Sequence, residues 1–283
     1  MSSSAEAPLY GLVLAGGHSR RMQRDKAALR YAGEAQLTRA LASLATVTDQ
    51  CFVSVRADQT QEPLRAAWPQ IIDREGDYGP LAGILAAQAQ HPDAAWWVLA
   101  CDLPRVDLSV LQHLLHQRDL TQLATAYRSA TEELPEPLCA IYEPASRLPL
   151  QEYARRGGRC PRKFLLTHTV RLLPALSAQA LDNVNSADEY WQAMEDNALR
   201  NPDDRTLQVK YFAVLREQAG CSAESVQTSA RTAADLYAEL KTKHDFTLPL
   251  EFLKVAVNGE FAEWTSPLAA GDEIVFIPPV AGG

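Results

Sequence analysis

Two apolar runs, residues 9–14 (Leu-Tyr-Gly-Leu-Val-Leu) and 96–100 (Trp-Trp-Val-Leu-Ala), contain no charged residue and do not alternate with polar ones. Such runs have no face to give to water, so they predict strands covered on both sides. Between them the pattern changes period repeatedly. Leu37, Leu41 and Leu44 mark a helix over residues 36–44, and residues 52–55 read as a strand. Residues 62–68 read as a helix ended by Pro69, Ile71-Ile72 as a short strand, and residues 81–90 as a helix stopped before Pro92. Alternating strands and helices of this kind predict an α/β domain built on a mostly parallel sheet with helices on both faces. Ligands of such sheets sit at the carboxyl ends of strands. Gly16-Gly17 follows the first strand and Asp102 follows the strand at 96–100, so both fall on that edge.

Further along, residues 127–173 read as more irregular, with Arg155-Arg156-Gly157-Gly158-Arg159 as a basic, flexible centre, and residues 190–199 as a closing helix. Asn201-Pro202-Asp203-Asp204 is polar and lacks apolar periodicity, which places a domain boundary there: residues 1–201 and 202–283. Beyond it the order of elements differs. Residues 207–214 and 225–228 are strand-like, and 233–243 helical. Residues 254–257 turn through Asn258-Gly259 into a second strand from Phe261, and Gly271-Asp272 leads into a last strand at 273–277. Strands around one main helix predict a small α+β domain of the β-grasp, ubiquitin-like type.

The whole chain carries a formal charge of −8, with net −5 in residues 203–283. That balance argues against binding to nucleic-acid backbone or to anionic membrane. Five scattered cysteines without a C-x-x-C pair fit neither a disulfide framework nor a zinc site. With no secretory leader visible at residues 1–8 and no apolar run of spanning length, the expected location is the cytoplasm.

The segment Leu14-Ala15-Gly16-Gly17-His18-Ser19-Arg20-Arg21-Met22-Gln23-Arg24-Asp25-Lys26 has the makings of a phosphate loop. Glycines let backbone amides approach phosphate oxygens, and four cations follow within one loop. The P-loop pattern G-x-x-x-x-G-K-[ST] is not satisfied. Asp102 at a strand end is a candidate magnesium ligand, since that ion takes carboxylate and phosphate oxygens. Trp96-Trp97 and Cys101 read as packed core residues, whereas residues 155–162 read equally as a solvated basic turn or as a clamp for an anionic phosphate.

Residues 14–26, together with Asp73, Gly79-Pro80-Leu81-Ala82-Gly83, Cys101-Asp102-Leu103-Pro104, Glu136-Pro137-Leu138 and Asn183-Val184-Asn185, resemble the ordered motifs of the molybdenum cofactor guanylyltransferases. The resemblance implies a Rossmann-like nucleotidyltransferase that transfers GMP from Mg-GTP to molybdopterin and releases pyrophosphate. It places Leu14, Ala15, Gly16 and Gly17 around the nucleotide, Lys26 on its phosphates, and Asp73 on the guanosine; by their charge, Arg20 and Arg21 are candidates to share the role of Lys26. Asp102 would hold Mg2+, and Asn183 and Asn185 would line the site toward the pterin or the metal. The chain departs from the motif at Gln23, where the family has glycine, and Ser54 and Arg56 stand near the place of a family asparagine. A cytidylyl- or sugar-nucleotidyltransferase, or a nucleotide-binding scaffold without turnover, are the competing readings of this half.

The chain closes on Pro278-Pro279-Val280-Ala281-Gly282-Gly283. With residues 209–220 and 255–260, these words are similar to the small subunit of molybdopterin synthase, a ubiquitin-like sulfur carrier. The resemblance implies that an adenylating enzyme activates the Gly283 carboxylate, that sulfur replaces AMP, and that the thiocarboxylate enters the large synthase subunit. A side chain at Gly282 would obstruct that entry.

Overall fold

A computed structural model describes residues 7–17, 25–76, 78–129, 133–196, 198–199 and 206–279. In chain order the elements begin with β1 (Leu9–Leu14), β2 (Arg30–Tyr31), β3 (Glu34–Ala35), α1 (Gln36–Ala45), β4 (Gln50–Val55), α2 (Pro63–Ala66) and β5 (Gln70–Ile72). Then come α3 (Leu81–Gln90), β6 (Ala95–Ala100), α4 (Leu108–His116), β7 (Ala124–Arg128), β8 (Pro135–Tyr142), α5 (Arg147–Arg155), α6 (Pro161–Thr167), β9 (Arg171–Pro174) and α7 (Ala187–Ala193). The last part holds β10 (Thr206–Tyr211), α8 (Ala213–Ala219), β11 (Ala223–Gln227), α9 (Ala233–His244), β12 (Lys254–Val257), β13 (Glu260–Ala262) and β14 (Glu273–Ile277). They form two compact units: one from residues 1–18 and 36–183, the other from residues 19–35 and 184–283.

The first unit is a seven-stranded sheet in the order β5-β4-β1-β6-β8-β7-β9. Its pairs β4–β5, β1–β4, β1–β6 and β7–β9 are parallel; β8 alone runs against its neighbours β6 and β7. This is the mostly parallel α/β sheet expected from the alternation of elements. β6 is buried along its whole length, and Trp96 and Trp97 are both 0% exposed. Tyr10, Phe52 and His91 pack around Trp96 with ring centroids 5.6–5.8 Å away. Burial of the two ring systems is favourable, at about 1.5–3 kcal/mol for each large apolar side chain, and is offset in part because neither indole Nε1 has a hydrogen-bond partner among the described residues.

Residues 127–173 are more regular than their composition suggests. β8 spans eight residues although it carries Pro135 and Pro137, which cannot donate to a ladder. Pro135 is the first residue of the strand, opposite Arg128, where proline is tolerated; beyond it the β7–β8 register shifts, so that Ala126 faces Ala140 whereas Tyr127 faces Glu136. Pro137 therefore falls among β8 residues with no partner in β7, while Cys139 still pairs with Leu99 of β6.

In the second unit, five strands in the order β11-β10-β14-β12-β13 place the parallel pair β10–β14 at the centre, which is the β-grasp arrangement. α9 packs Ala233, Leu236, Tyr237 and Leu240 against the sheet, an i, i+3, i+4, i+7 stripe. A capping box between Thr232 and Asp235 starts α9, and Asp245 ends it in the left-handed region at φ 54°. Asn258 and Gly259, at φ 53° and 85°, make the tight turn between β12 and β13 that their dipeptide predicts. One expectation fails. The strand read over residues 207–214 stops at Tyr211, and Ala213–Ala219 is a helix closed by Gly220 at φ 69°. Phe212 and Val214 look like strand residues, but only Leu215 of α8 is fully buried. The same unit holds the β2–β3 hairpin and α7, whose Tyr31, Tyr190, Ala193 and Met194 share a cluster with Ala269. No helix among the described residues is long and apolar enough to cross a membrane.

Candidate nucleotide site

The loop Ala15-Gly16-Gly17 leaves the carboxyl end of β1, and its conformation is fixed mainly through its carbonyls. The Ala15 amide extends the β1–β4 ladder by donating to the Ser54 carbonyl at 3.2 Å. The Ala15 carbonyl accepts two bonds from Arg65, from Nε at 3.2 Å and Nη2 at 2.7 Å. The Gly16 carbonyl accepts a bond from Arg56 Nη1. Both carbonyls are thus turned toward the protein. Among the described residues, the Gly16 and Gly17 amides donate to no protein acceptor.

The two glycines serve different needs. A Cβ on Gly16 would lie 2.7 Å from Asp73 Oδ2, so there the requirement comes from inside the protein. A Cβ on Gly17 would meet nothing within 4 Å, so the protein itself leaves room there. Asp73 sits at the end of β5, its amide donating to the Val55 carbonyl at 2.8 Å and its carboxylate accepting from Ser54 Oγ. Burial pushes the Asp73 carboxyl above its ordinary pKa, against the opposing pull of the Ser54 hydrogen bond and the Arg56 charge. Gly83, in the first turn of α3, has no room for a side chain because a Cβ would run into Ser54 Oγ.

Asp102 follows β6 on the same sheet edge. β8 runs antiparallel to β6 with Leu99 opposite Cys139, so β8 begins where β6 ends and Glu136 comes close to Asp102. Burial raises the Glu136 pKa, and the nearby Asp102 charge adds to it; the Leu138 amide and Arg162 act the other way. Leu138 N donates to Glu136 Oε1 at 3.0 Å and Arg162 Nη2 to Oε2 at 3.4 Å. No group of three His, Cys, Asp or Glu among the described residues could cage a metal. One or two carboxylates on an open edge nevertheless fit magnesium, which keeps several waters and completes its shell with substrate phosphate.

The other expected residues divide as follows. Lys26 and Asn185 come together in the second unit, Lys26 Nζ donating to Asn185 Oδ1 at 2.5 Å. Local capping orients both. Asp25 accepts from the Ala27 amide to start a 3₁₀ turn at Lys26, while Glu189 accepts from the amides of Asn185 and Ser186 at the start of α7. Asn183 is exposed. Arg21, Gln23 and the break at residues 201–204 lie outside the described residues, as do Gly282 and Gly283. The basic stretch 155–162 is neither wholly solvated nor open: Arg155 and Arg156 pair with Glu152, Arg159 lies 4.4 Å over the Tyr78 ring, and Arg162 bonds the Pro135 carbonyl.

Sequence reasoning missed Arg65, and noted Ser54 and Arg56 only as neighbours of an absent asparagine. Arg65 looks like a surface residue of a short helix, yet it is 1% exposed. Its partner carbonyl lies fifty positions away, so no local pattern announces it.

Two segments of the chain match known families. Residues 11–175 match the family described as MobA-like NTP transferase domain, and residues 209–283 match the ThiS family. A "Molybdenum cofactor biosynthesis bifunctional protein" of Synechocystis sp. is 34% identical over 188 residues, covering 66% of this chain and 54% of its own length. The chain thus spans about half of that relative. A "Probable molybdenum cofactor guanylyltransferase" of Synechococcus elongatus is 36% identical over 189 residues, 65% of this chain and 96% of its own. Among solved structures, molybdopterin-guanine dinucleotide biosynthesis protein A from Archaeoglobus fulgidus shares the fold at 24% identity. Its TM-score is 0.56 over 66% of this chain and 97% of that one.

Proposed function

The chain belongs to the MobA-like NTP transferase family, and from that premise we propose that it is a bifunctional protein of molybdenum cofactor biosynthesis: a guanylyltransferase followed by a sulfur carrier. The observation that carries the first half is the loop at residues 15–17, whose carbonyls face arginines while its glycine amides are left for an anion. The division of labour falls between residues 1–201 and 202–283.

The reaction is attack by an acceptor phosphate oxygen of molybdopterin on the α-phosphorus of GTP. One P–O bond forms, the bond to the β-phosphate breaks, and pyrophosphate leaves. An anionic phosphate needs no general base, so the protein has to offset repulsion and orient the two phosphates. The Gly16 and Gly17 amides hold phosphate oxygens, and Lys26, fixed by Asn185, and Arg21 neutralise charge on the triphosphate. Leu14 and Asp73 bound the nucleoside side of the site. Asp102 would hold Mg2+, with Glu136 beside it, and the ion would supply positive charge to the triphosphate.

In the second half, the ThiS-family match runs through Gly283. An adenylating enzyme activates that carboxylate with ATP, a sulfur donor displaces AMP, and the thiocarboxylate delivers sulfur to the large subunit of molybdopterin synthase in the cytoplasm.

Incubating the full chain with Mg-GTP and molybdopterin should release pyrophosphate and form a GMP-linked product. Turnover with CTP in place of GTP would make it a cytidylyltransferase, and turnover with neither would leave a nucleotide-binding scaffold. Intact mass after incubation with the activating enzyme, ATP and a sulfur source reads the carrier half: replacement of one carboxyl oxygen by sulfur is expected, and an unchanged mass refutes it.

A further inference from the structure

We infer that Arg65, with Arg56 beside it, is a positioning residue that sets the phosphate loop before nucleotide arrives. The inference rests on the nucleotide-binding reading above.

A peptide carbonyl and the amide that follows it point in opposite directions because the unit is planar. Anchoring the Ala15 carbonyl inward therefore turns the Gly16 amide outward, and anchoring the Gly16 carbonyl does the same for the Gly17 amide. Arg65 holds the first carbonyl with two donors, at 2.7 and 3.2 Å, and Arg56 holds the second. Without those anchors the flexible Gly16-Gly17 segment could rotate its carbonyls outward and meet a phosphate with like-signed dipoles.

Burying the Arg65 side chain is costly, and the surroundings are built for it. Its side chain is 1% exposed, Glu62 one helical turn away accepts from Nη1, and the planar fork reaches the carbonyl from α2. Arg56 is also held, its Nε and Nη2 bonded to the two carboxylate oxygens of Asp58 at 3.0 and 3.1 Å. Lysine would keep the charge but not the two-donor fork.

The predicted signature separates phosphate from nucleoside. In the full chain, Arg65→Met should weaken Mg-GTP binding, followed by calorimetry, at least tenfold. The affinity for guanosine, measured by competition, should stay within twofold. Arg65→Lys should fall between wild type and Arg65→Met for Mg-GTP. An Arg65→Met protein with unchanged Mg-GTP affinity, or one that loses GTP and guanosine equally, overturns the inference and assigns Arg65 a purely structural role. If Arg65→Met does not fold, Arg65→Lys carries the test: a threefold or larger loss for Mg-GTP alone supports positioning, and wild-type affinity overturns it. A wild-type chain that binds neither Mg-GTP nor guanosine would refute the nucleotide reading itself, an outcome distinct from either result with the variants.

Discussion

The ground beneath the phosphate loop and the core of the β-grasp unit are both well buried, but they are built from opposite materials. Around the loop the buried groups are polar or charged: Arg65 and Ser54 are nearly inaccessible, and Asp73 is partly desolvated. The β-grasp core is made of aliphatic and aromatic side chains such as Val209, Leu236, Tyr237, Ile274 and Phe276. Apolar burial is non-directional, so the core needs close packing but no particular orientation of its groups. A polar cradle does need a particular orientation, because each buried donor and acceptor must find a partner in the right place. The first arrangement holds a specific geometry ready for a ligand; the second holds a scaffold together.

The largest effect should come from the sheet edge. Asp102→Ala is expected to lower GMP transfer roughly 100-fold or more, in the range seen when a preorganised electrostatic group is lost. It should leave thiocarboxylation of the same chain at wild-type level. Pyrophosphate release and intact mass report the two activities, and full transfer by the variant would remove Asp102 from the mechanism. The complementary lesion is Leu236→Ala, which deletes a fully buried contact between α9 and the sheet. A loss of about 2–5 kcal/mol is expected. Hydrogen exchange should show the lost protection concentrated in residues 206–277, and uniform exchange throughout the chain would contradict a separate core.

The same contrast explains what the sequence disclosed. The β-grasp was readable because its determinants are local: Asn258-Gly259 encodes its turn, Thr232 and Asp235 encode a cap, and Leu236 and Leu240 lie one turn apart. In the larger unit, β1 and β6 were legible from their unbroken apolar runs. Arg65 was not, because its role exists only once β1 and α2 are brought together. β8 was hidden by Pro135 and Pro137, which are tolerated at the strand's first residue and in an irregularity of β8 opposite β7. α8 was missed because Phe212 and Val214 are residue types favoured in strands, although they fall on the exposed face of Gln208 and Lys210 and Gly220 offered a helix-ending signal. Gly16 and Gly17 were expected to open the loop to phosphate. For Gly16 the constraint visible in the structure is the carboxylate of Asp73.

A smaller effect should follow from Asn258→Ala. The side chain of Asn258 accepts from the Glu273 amide at 2.9 Å and donates to Asp272 at 2.8 Å, while its backbone sits at φ 53°. Alanine removes both bonds and keeps the strained dihedral, so a loss of about 1–3 kcal/mol is expected. Asn258→Gly removes the bonds but relieves the dihedral, and should cost less than alanine. Denaturant midpoints that rank glycine below alanine would show that the dihedral is not the constraint.

The finest distinction concerns how the β-grasp treats its one conspicuous polar knot. Burial opposes the charge on Glu224, but bonds from Lys243, Tyr211 and His244 outweigh it and hold the carboxyl at about 2. A carboxyl whose pKa is lower in the folded state stabilises that state above its ordinary pKa of 4.5, and the contribution disappears as pH falls through about 2. Acid unfolding of residues 206–277, followed by hydrogen exchange, should therefore steepen between those values, and Glu224→Gln should flatten it. Unlike Arg65, this charged group lies at the margin of the apolar core, with Lys243 half-exposed beside it. Its removal should shift the acid midpoint without altering Mg-GTP affinity. A variant whose acid profile matched wild type would mean that the three donors contribute nothing beyond what they gain from water.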